Sequence, residues 1–287
     1  MERHGFHAMG THVDVLLDVD PGADAVLALA SVEHEFRRLE GLMTRFDADS
    51  ELSRLNAAGA ADVSDELVEV VRLGLDARER TGGRFDPTVH EALVAAGYDR
   101  SFEHVDDRPP SAAARPAGGA VRIHAARIEL DPGVRLDLGG IGKGYAVDRA
   151  VERLASLGPC LVNAGGDLAV RGTPSMGVWP VGLETPCGRL TLGVSDGALA
   201  TSGTDRRRWR SGGELRHHLI DPATGRPAAS DLLRITVAAP TAVEAEVLAK
   251  ALFFAGEEAA AAEADALGVA ALLITTDGRV RPAGGIA

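Results

Sequence analysis

Residues 136–145 read Leu-Asp-Leu-Gly-Gly-Ile-Gly-Lys-Gly-Tyr. An apolar run carrying one acid, Asp137, enters a glycine-rich bend, passes Lys143 and continues into an amphipathic stretch. Such an order suits a phosphate-bearing ligand. Amides at a helix start are unpaired and lie at the positive end of the helix dipole, and the lysine adds a full charge. Two common phosphate motifs do not fit. A Walker A loop needs Ser or Thr after the lysine, where Gly144 stands, and a Rossmann fingerprint needs a third glycine where this chain has Tyr145. The plainer alternative is a strand-to-helix turn whose glycines only allow tight packing.

A second reactive signal is His217-His218, followed by Leu-Ile-Asp-Pro-Ala-Thr-Gly225. A histidine can take the proton of an attacking hydroxyl at neutral pH. Neighbours on a strand point to opposite faces, so these two histidines are not expected to act as one chelate. Asp47-Ala-Asp49 is no EF-hand loop, because Leu52 sits where the loop needs glycine. Ser202 has no nucleophile elbow, since Ala200 replaces the first glycine.

The chain that must position these groups has 287 residues, 45% hydrophobic and 25% charged, the balance of an ordinary globular protein. Aromatic residues make up 4%, so its core rests on Ala, Val and Leu. A net charge of −12 argues against nucleic acid as a partner. No apolar run is long enough for a membrane span. No secretory signal or lipobox is visible, and the expected location is the cytoplasm. Cys160 and Cys187 form no zinc pattern; free buried thiols are expected, with a disulfide between them left open.

Periodicity sketches the elements. Residues 6–19 read as a strand, and 23–45 as a helix with Val26, Leu29, Phe36, Leu39 and Met43 at helical spacing. Ser64 is expected to cap a helix ending at Thr81-Gly82-Gly83. Asp86 reads as another cap, with Pro87 at the first helical position. The proline-rich stretch 106–119 is expected to be a surface loop and a break between two lobes. Residues 120–130 form an expected hairpin, 134–138 a strand and 143–157 a helix. Short strands then run to 220. Helices ending at Gly256 and Gly268 and a hairpin around Asp277-Gly278 close the chain. This order points to an α+β fold.

Five segments then line up: Met9-Gly-Thr11, the run from Met43 to Asn56, Gly82-Gly-Arg-Phe-Asp-Pro-Thr88, residues 136–148 with Asn163-Ala-Gly-Gly-Asp167, and Thr201-Ser-Gly203 with the stretch 217–225. Together they resemble the ApbE family of FAD:protein FMN transferases, over most of the chain. The resemblance implies one ApbE-like domain spanning residues 1–287, with mixed, mostly antiparallel sheets flanked by helices. It also implies a reaction in which FMN passes from FAD to a Thr or Ser of an acceptor protein, with release of AMP and use of Mg²⁺. Met9, Phe46, Arg84, Phe85, Asp86, Asp137, Lys143 and Ile220 match positions that bind FAD. His218 matches the proposed catalytic histidine. The Gly140 carbonyl and Glu246 match metal ligands. A flavin-binding protein without catalysis, and a hydrolase giving FMN and AMP, are the alternative readings.

The pattern breaks on the late helix. Where the family has Asp-Ala-x-x-Thr, with Asp and Thr on magnesium, this chain reads Glu246-Val-Leu-Ala-Lys250. Three arrangements are open. Magnesium is kept by Glu246, the Gly140 carbonyl, waters and phosphate; or the Lys250 ammonium neutralises the pyrophosphate itself; or Glu246 and Lys250 are only an i,i+4 pair. Arg206, Arg207 and Arg208 either flank a phosphate or form a solvated loop.

Overall fold

The structure, a computed structural model, describes residues 1–109, 113–186 and 188–285. Pro110 and Cys187 lie outside the described residues. Among the described residues no helix is long and apolar enough to cross a membrane. The chain forms two compact units, the first from residues 1–39, 143–202 and 230–287, the second from 40–142 and 203–229.

The first unit is built on an eight-stranded sheet whose strands run, in order across it, β1 (Glu2–Ala8), β2 (Thr11–Leu17), β6 (Cys160–Ala164), β7 (Asp167–Arg171), β10 (Gly197–Gly203), β15 (Leu232–Ala239), β16 (Ala271–Thr275) and β17 (Val280–Ala283). A separate hairpin joins β8 (Trp179–Thr185) to β9 (Gly188–Val194). The single strand expected over 6–19 is a hairpin, because Met9 and Gly10 both take positive φ, 53° and 65°. Two such residues make the tight turn whose twist matches the flanking strands. Helix α1 (Ala23–Met43) buries Leu29, Val32, Phe36 and Leu39, with Phe36 edge-on to Phe6 at 5.5 Å. Val26, expected on that stripe, is exposed.

Two helices of this unit position charged groups. Helix α5 (Gly142–Ala155) and helix α6 (Ala242–Ala255) approach closely, since a Cβ on Gly144 would lie 2.7 Å from the Ala242 carbonyl oxygen. Asp148 of α5 accepts hydrogen bonds from the Ala242 and Val243 amides at 2.7 and 2.9 Å, filling the donors at the start of α6. Burial pushes the Asp148 carboxyl above the usual range against those two hydrogen bonds. Helix α6 is apolar on nearly every side, as a helix enclosed by its own domain must be. Glu246 is buried with it. Helix α7 (Glu257–Leu267) ends at Gly268 in the left-handed conformation, as expected.

The second unit carries α2 (Glu51–Ala58), α3 (Asp65–Arg80) and α4 (His90–Ala95), with a sheet of order β3-β5-β4 from Ala60–Asp62, Arg127–Leu130 and Val121–His124. Two small ribbons pair β11 (Arg208–Ser211) with β12 (Glu214–His217), and β13 (Ile220–Asp221) with β14 (Arg226–Pro227). The Ser64 hydroxyl caps α3 by accepting from the Leu67 amide. Asp86 does not cap a helix. Its Oδ1 accepts from the Thr88 amide and hydroxyl at 2.8 and 2.7 Å, closing a local turn before α4.

Residues 134–138 form no strand. The Asn56 side chain takes the place of a neighbouring strand there, donating to the Leu136 carbonyl and accepting from its amide, both at 2.8 Å. The Asp137 amide donates to the Pro87 carbonyl at 2.8 Å. The described part of 106–119 lies within the second unit, not at a change of unit. Ala117 donates to the Pro222 carbonyl and Gly118 to the Thr88 hydroxyl, both at 2.8 Å, so the end of this proline-rich loop is tethered within the unit.

Candidate functional site

In the first unit, Lys143 at the start of α5 and Glu246 on α6 meet in a buried cluster. The Lys143 ammonium pairs with Asp167, the first residue of β7, and donates to Glu246 Oε1 at 2.9 Å. Lys250, one turn along α6, donates to the same Oε1 at 3.1 Å. Glu246 Oε2 accepts from the Gly144 amide at 2.9 Å. One carboxylate therefore holds two ammoniums and a helix-start amide. Burial pushes the Glu246 carboxyl up, but Lys143, Lys250 and the Gly144 amide outweigh it and hold the group down at about 2. Burial raises the Asp167 carboxyl, with Lys143 opposing and Glu246 reinforcing the rise.

This geometry revises the amide reading of the glycine-rich bend. The Gly144 amide is occupied by Glu246, and the Ile141 and Gly142 amides donate to the Leu138 carbonyl at 3.1 and 2.7 Å. Gly140 sits half-buried inside that turn. What remains of the phosphate signal is carried by side-chain ammoniums.

Met9 lies in the β1–β2 turn, in a left-handed conformation. A left-handed conformation costs a non-glycine residue about 1–2 kcal/mol, and such strain collects where a side chain has work to do. Met9→Gly is expected to raise stability by about 1 kcal/mol, read by urea denaturation; an unchanged midpoint would mean that the turn carries no strain at this position.

In the second unit, Asp137 Oδ2 pairs with Arg45 Nε at 2.6 Å, and both side chains are buried. The Arg45 guanidinium carbon lies 4.2 Å from the Phe46 ring centre and 4.6 Å from that of Tyr98. A guanidinium over two rings is held by their negative faces. Arg45 Nη2 is buried with no hydrogen-bond partner among the described residues, a donor left available to a ligand acceptor. Phe46 is 42% exposed and packs on Tyr98 at 5.6 Å, and Tyr98 packs on Trp209 at 5.2 Å. The Ile220 side chain belongs to the core beneath, with Leu93, Tyr98 and Trp209, and its backbone stands opposite Pro227 in the β13–β14 ribbon.

Arg84, Phe85 and Asp86 form the adjoining segment of this unit. Arg84 is half-buried and donates to the Thr81 carbonyl at 3.2 Å. Phe85 is buried, and Asp86 Oδ2 pairs with Arg78 at 3.0 Å. Arg206 and Arg208 are exposed, as a solvated loop requires, but Arg207 is half-buried and acts electrostatically on Tyr98.

His218 does not continue the alternation of β12. That strand ends at His217, and His218 occupies a half-buried bend before β13. His217 Nε2 meets the Ala228 carbonyl at 3.1 Å, while the Ala228 amide donates to the Leu219 carbonyl at 2.9 Å. The backbone on either side of His218 is thereby fixed. Burial holds His217, and His90 on α4, below the usual imidazole range. Their unfolded counterparts take up protons near pH 6.5, so stability from the neutral forms is complete above that value and is lost as pH falls. The thermal midpoint should drop from pH 7 toward pH 5.5, with a shallower slope in His217→Gln. Equal slopes would clear His217 of a part in the acid loss.

Sequence reasoning missed Arg45, His90, Tyr98 and the partnership of Asp167 with Lys143. Arg45 lies beside Phe46 in a motif already singled out, yet nothing in its spacing announces that it pairs with Asp137.

Residues 9–273 match the ApbE family. This chain belongs to the ApbE family. It is 32% identical over 296 residues to the FAD:protein FMN transferase of Treponema pallidum, a match covering 93% of this chain and 82% of that one. Among solved structures, the ApbE protein of Thermotoga maritima superposes with a TM-score of 0.85 at 27% identity, over 98% of this chain and 96% of that one. The flavin transferase ApbE of Vibrio cholerae gives 0.82 at 25% identity, over the same shares. The α+β fold with its antiparallel strands is the ApbE fold.

Proposed function

We propose that this chain moves FMN from FAD to a Thr or Ser hydroxyl of an acceptor protein and releases AMP. The observation that carries this reading is the near-full-length likeness to a relative bearing that activity. Each unit adds chemistry to match: the first has ammoniums for a diphosphate, and the second an exposed ring on a buried arginine for a flat, polar-edged ligand.

The acceptor oxygen attacks the phosphorus nearer riboflavin. A new P–O bond forms as the P–O bond of the anhydride breaks, His218 takes the hydroxyl proton, and AMP leaves with the bridging oxygen. Phe46 contacts the isoalloxazine, and the family resemblance assigns Met9 to FAD as well. Arg84, Phe85, Asp86, Asp137 and the Ile220 backbone hold FAD, and Arg45 Nη2 offers it a further donor. Positioning and charge neutralisation supply most of the rate. The acceptor is a cytoplasmic protein or a cytoplasm-facing domain.

The family resemblance implies Mg²⁺, with Glu246 and the Gly140 carbonyl as ligands. Glu246 does not fit that part, because both its oxygens are engaged by donors. Among the described residues no group of three His, Cys, Asp or Glu side chains is arranged to hold a metal ion.

The test is incubation with FAD and a flavin-acceptor domain, followed by in-gel flavin fluorescence and measurement of free AMP. Labelled acceptor with equal AMP supports transfer. AMP without label would make the chain a hydrolase, and bound FAD with neither product would make it a binding protein.

A further inference from the structure

We infer that the Lys250 ammonium is the resident cation of this site and that Glu246 takes no divalent ion. The inference rests on the flavin-transfer reading for its consequence, that ammoniums face the FAD diphosphate, but the cation claim stands on geometry alone. Glu246 is 1% exposed, and its Oε1 already has two ammonium hydrogen-bond donors, from helices α5 and α6. Mg²⁺ requires oxygen ligands at about 2.0–2.1 Å in a near-octahedral set. An ammonium has no lone pair to give, and its charge opposes a dication brought to the oxygen it holds.

Charge balance points the same way. Lys143 and Lys250 offset Asp167 and Glu246, so the cluster closes without a further cation. Lys250 is 15% exposed and Lys143 18%, so each ammonium keeps some access to a ligand. A lysine acts on phosphate as a point charge and needs no coordination geometry. The late-helix motif of this chain, Glu246-Val-Leu-Ala-Lys250, thus exchanges a metal-dependent grip on the diphosphate for a built-in one.

The experiment titrates the full chain with Mn²⁺ alone, without flavin, followed by electron paramagnetic resonance of the free ion. Wild type should show no saturable site up to millimolar concentrations. Lys250→Thr should gain Mn²⁺ affinity by about tenfold or more, and Lys250→Arg should stay metal-refusing. A tight wild-type site that disappears in Glu246→Gln overturns the inference, as does a Lys250→Thr protein that folds yet gains nothing. A companion FAD titration in EDTA or Mg²⁺ reads the consequence. Equal wild-type affinities support it, and a rise of about tenfold or more with Mg²⁺ overturns it. Absence of any FAD affinity strikes the flavin reading instead, and the Mn²⁺ titration still decides the cation.

Discussion

Replacing His218 with alanine lowers flavin transfer by about 10²- to 10⁴-fold, the usual worth of a positioned general base, and leaves FAD binding intact. The separation follows from where the residue sits. His218 lies in a bend whose two sides are pinned by His217 to Ala228 and by Ala228 to Leu219, so losing its ring should not release that bend. FAD is held by other residues in the reading above. The rate of fluorescent labelling of an acceptor, beside FAD affinity from quenching of flavin fluorescence, gives the two numbers. His218→Gln, which keeps hydrogen bonding but cannot take a proton, should be nearly as slow as alanine. A loss under about tenfold in both variants would hand the proton to another group and leave His218 a structural residue.

Glu246→Ala is expected to cost about 3–5 kcal/mol of folding stability, the largest stability loss anticipated for this chain. The substitution removes the carboxylate shared by Lys143 and Lys250 and strips the Gly144 amide of its acceptor. Two half-buried ammoniums then lose the carboxylate they share, while Asp167 still pairs with Lys143. Urea denaturation should show a lower midpoint with an unchanged slope. The paired variant Glu246→Gln with Lys250→Met takes away one charge of each sign, so its loss should be smaller than the sum of the single changes. Strict additivity would mean that Lys250 and Glu246 do not interact, and the cluster would lose its meaning.

Much of this molecule is legible in one dimension because its signals are local. Ser64 caps α3, and Gly256 and Gly268 end the last two helices, since capping and left-handed turns are decided within a few residues. The strand expected over 134–138 failed for a related reason. Its apolar residues are buried as a strand's would be, but the backbone finds its partners in the Asn56 side chain, 80 residues away, and in Pro87. Hydrophobic pattern reports burial, not which group completes the hydrogen bonds.

The sequence by itself determined the family and the α+β class. Short motifs in a fixed order carry that information whether or not the chain is folded. Only the tertiary structure decided what the charged residues do. Lys143 meets Glu246 across 103 positions, and Asp137 meets Arg45 across most of the second unit. Electrostatic pairs of this kind have no period and no spacing rule. They exist because enclosed elements bring charges where water is scarce, and a buried charge must find its opposite there.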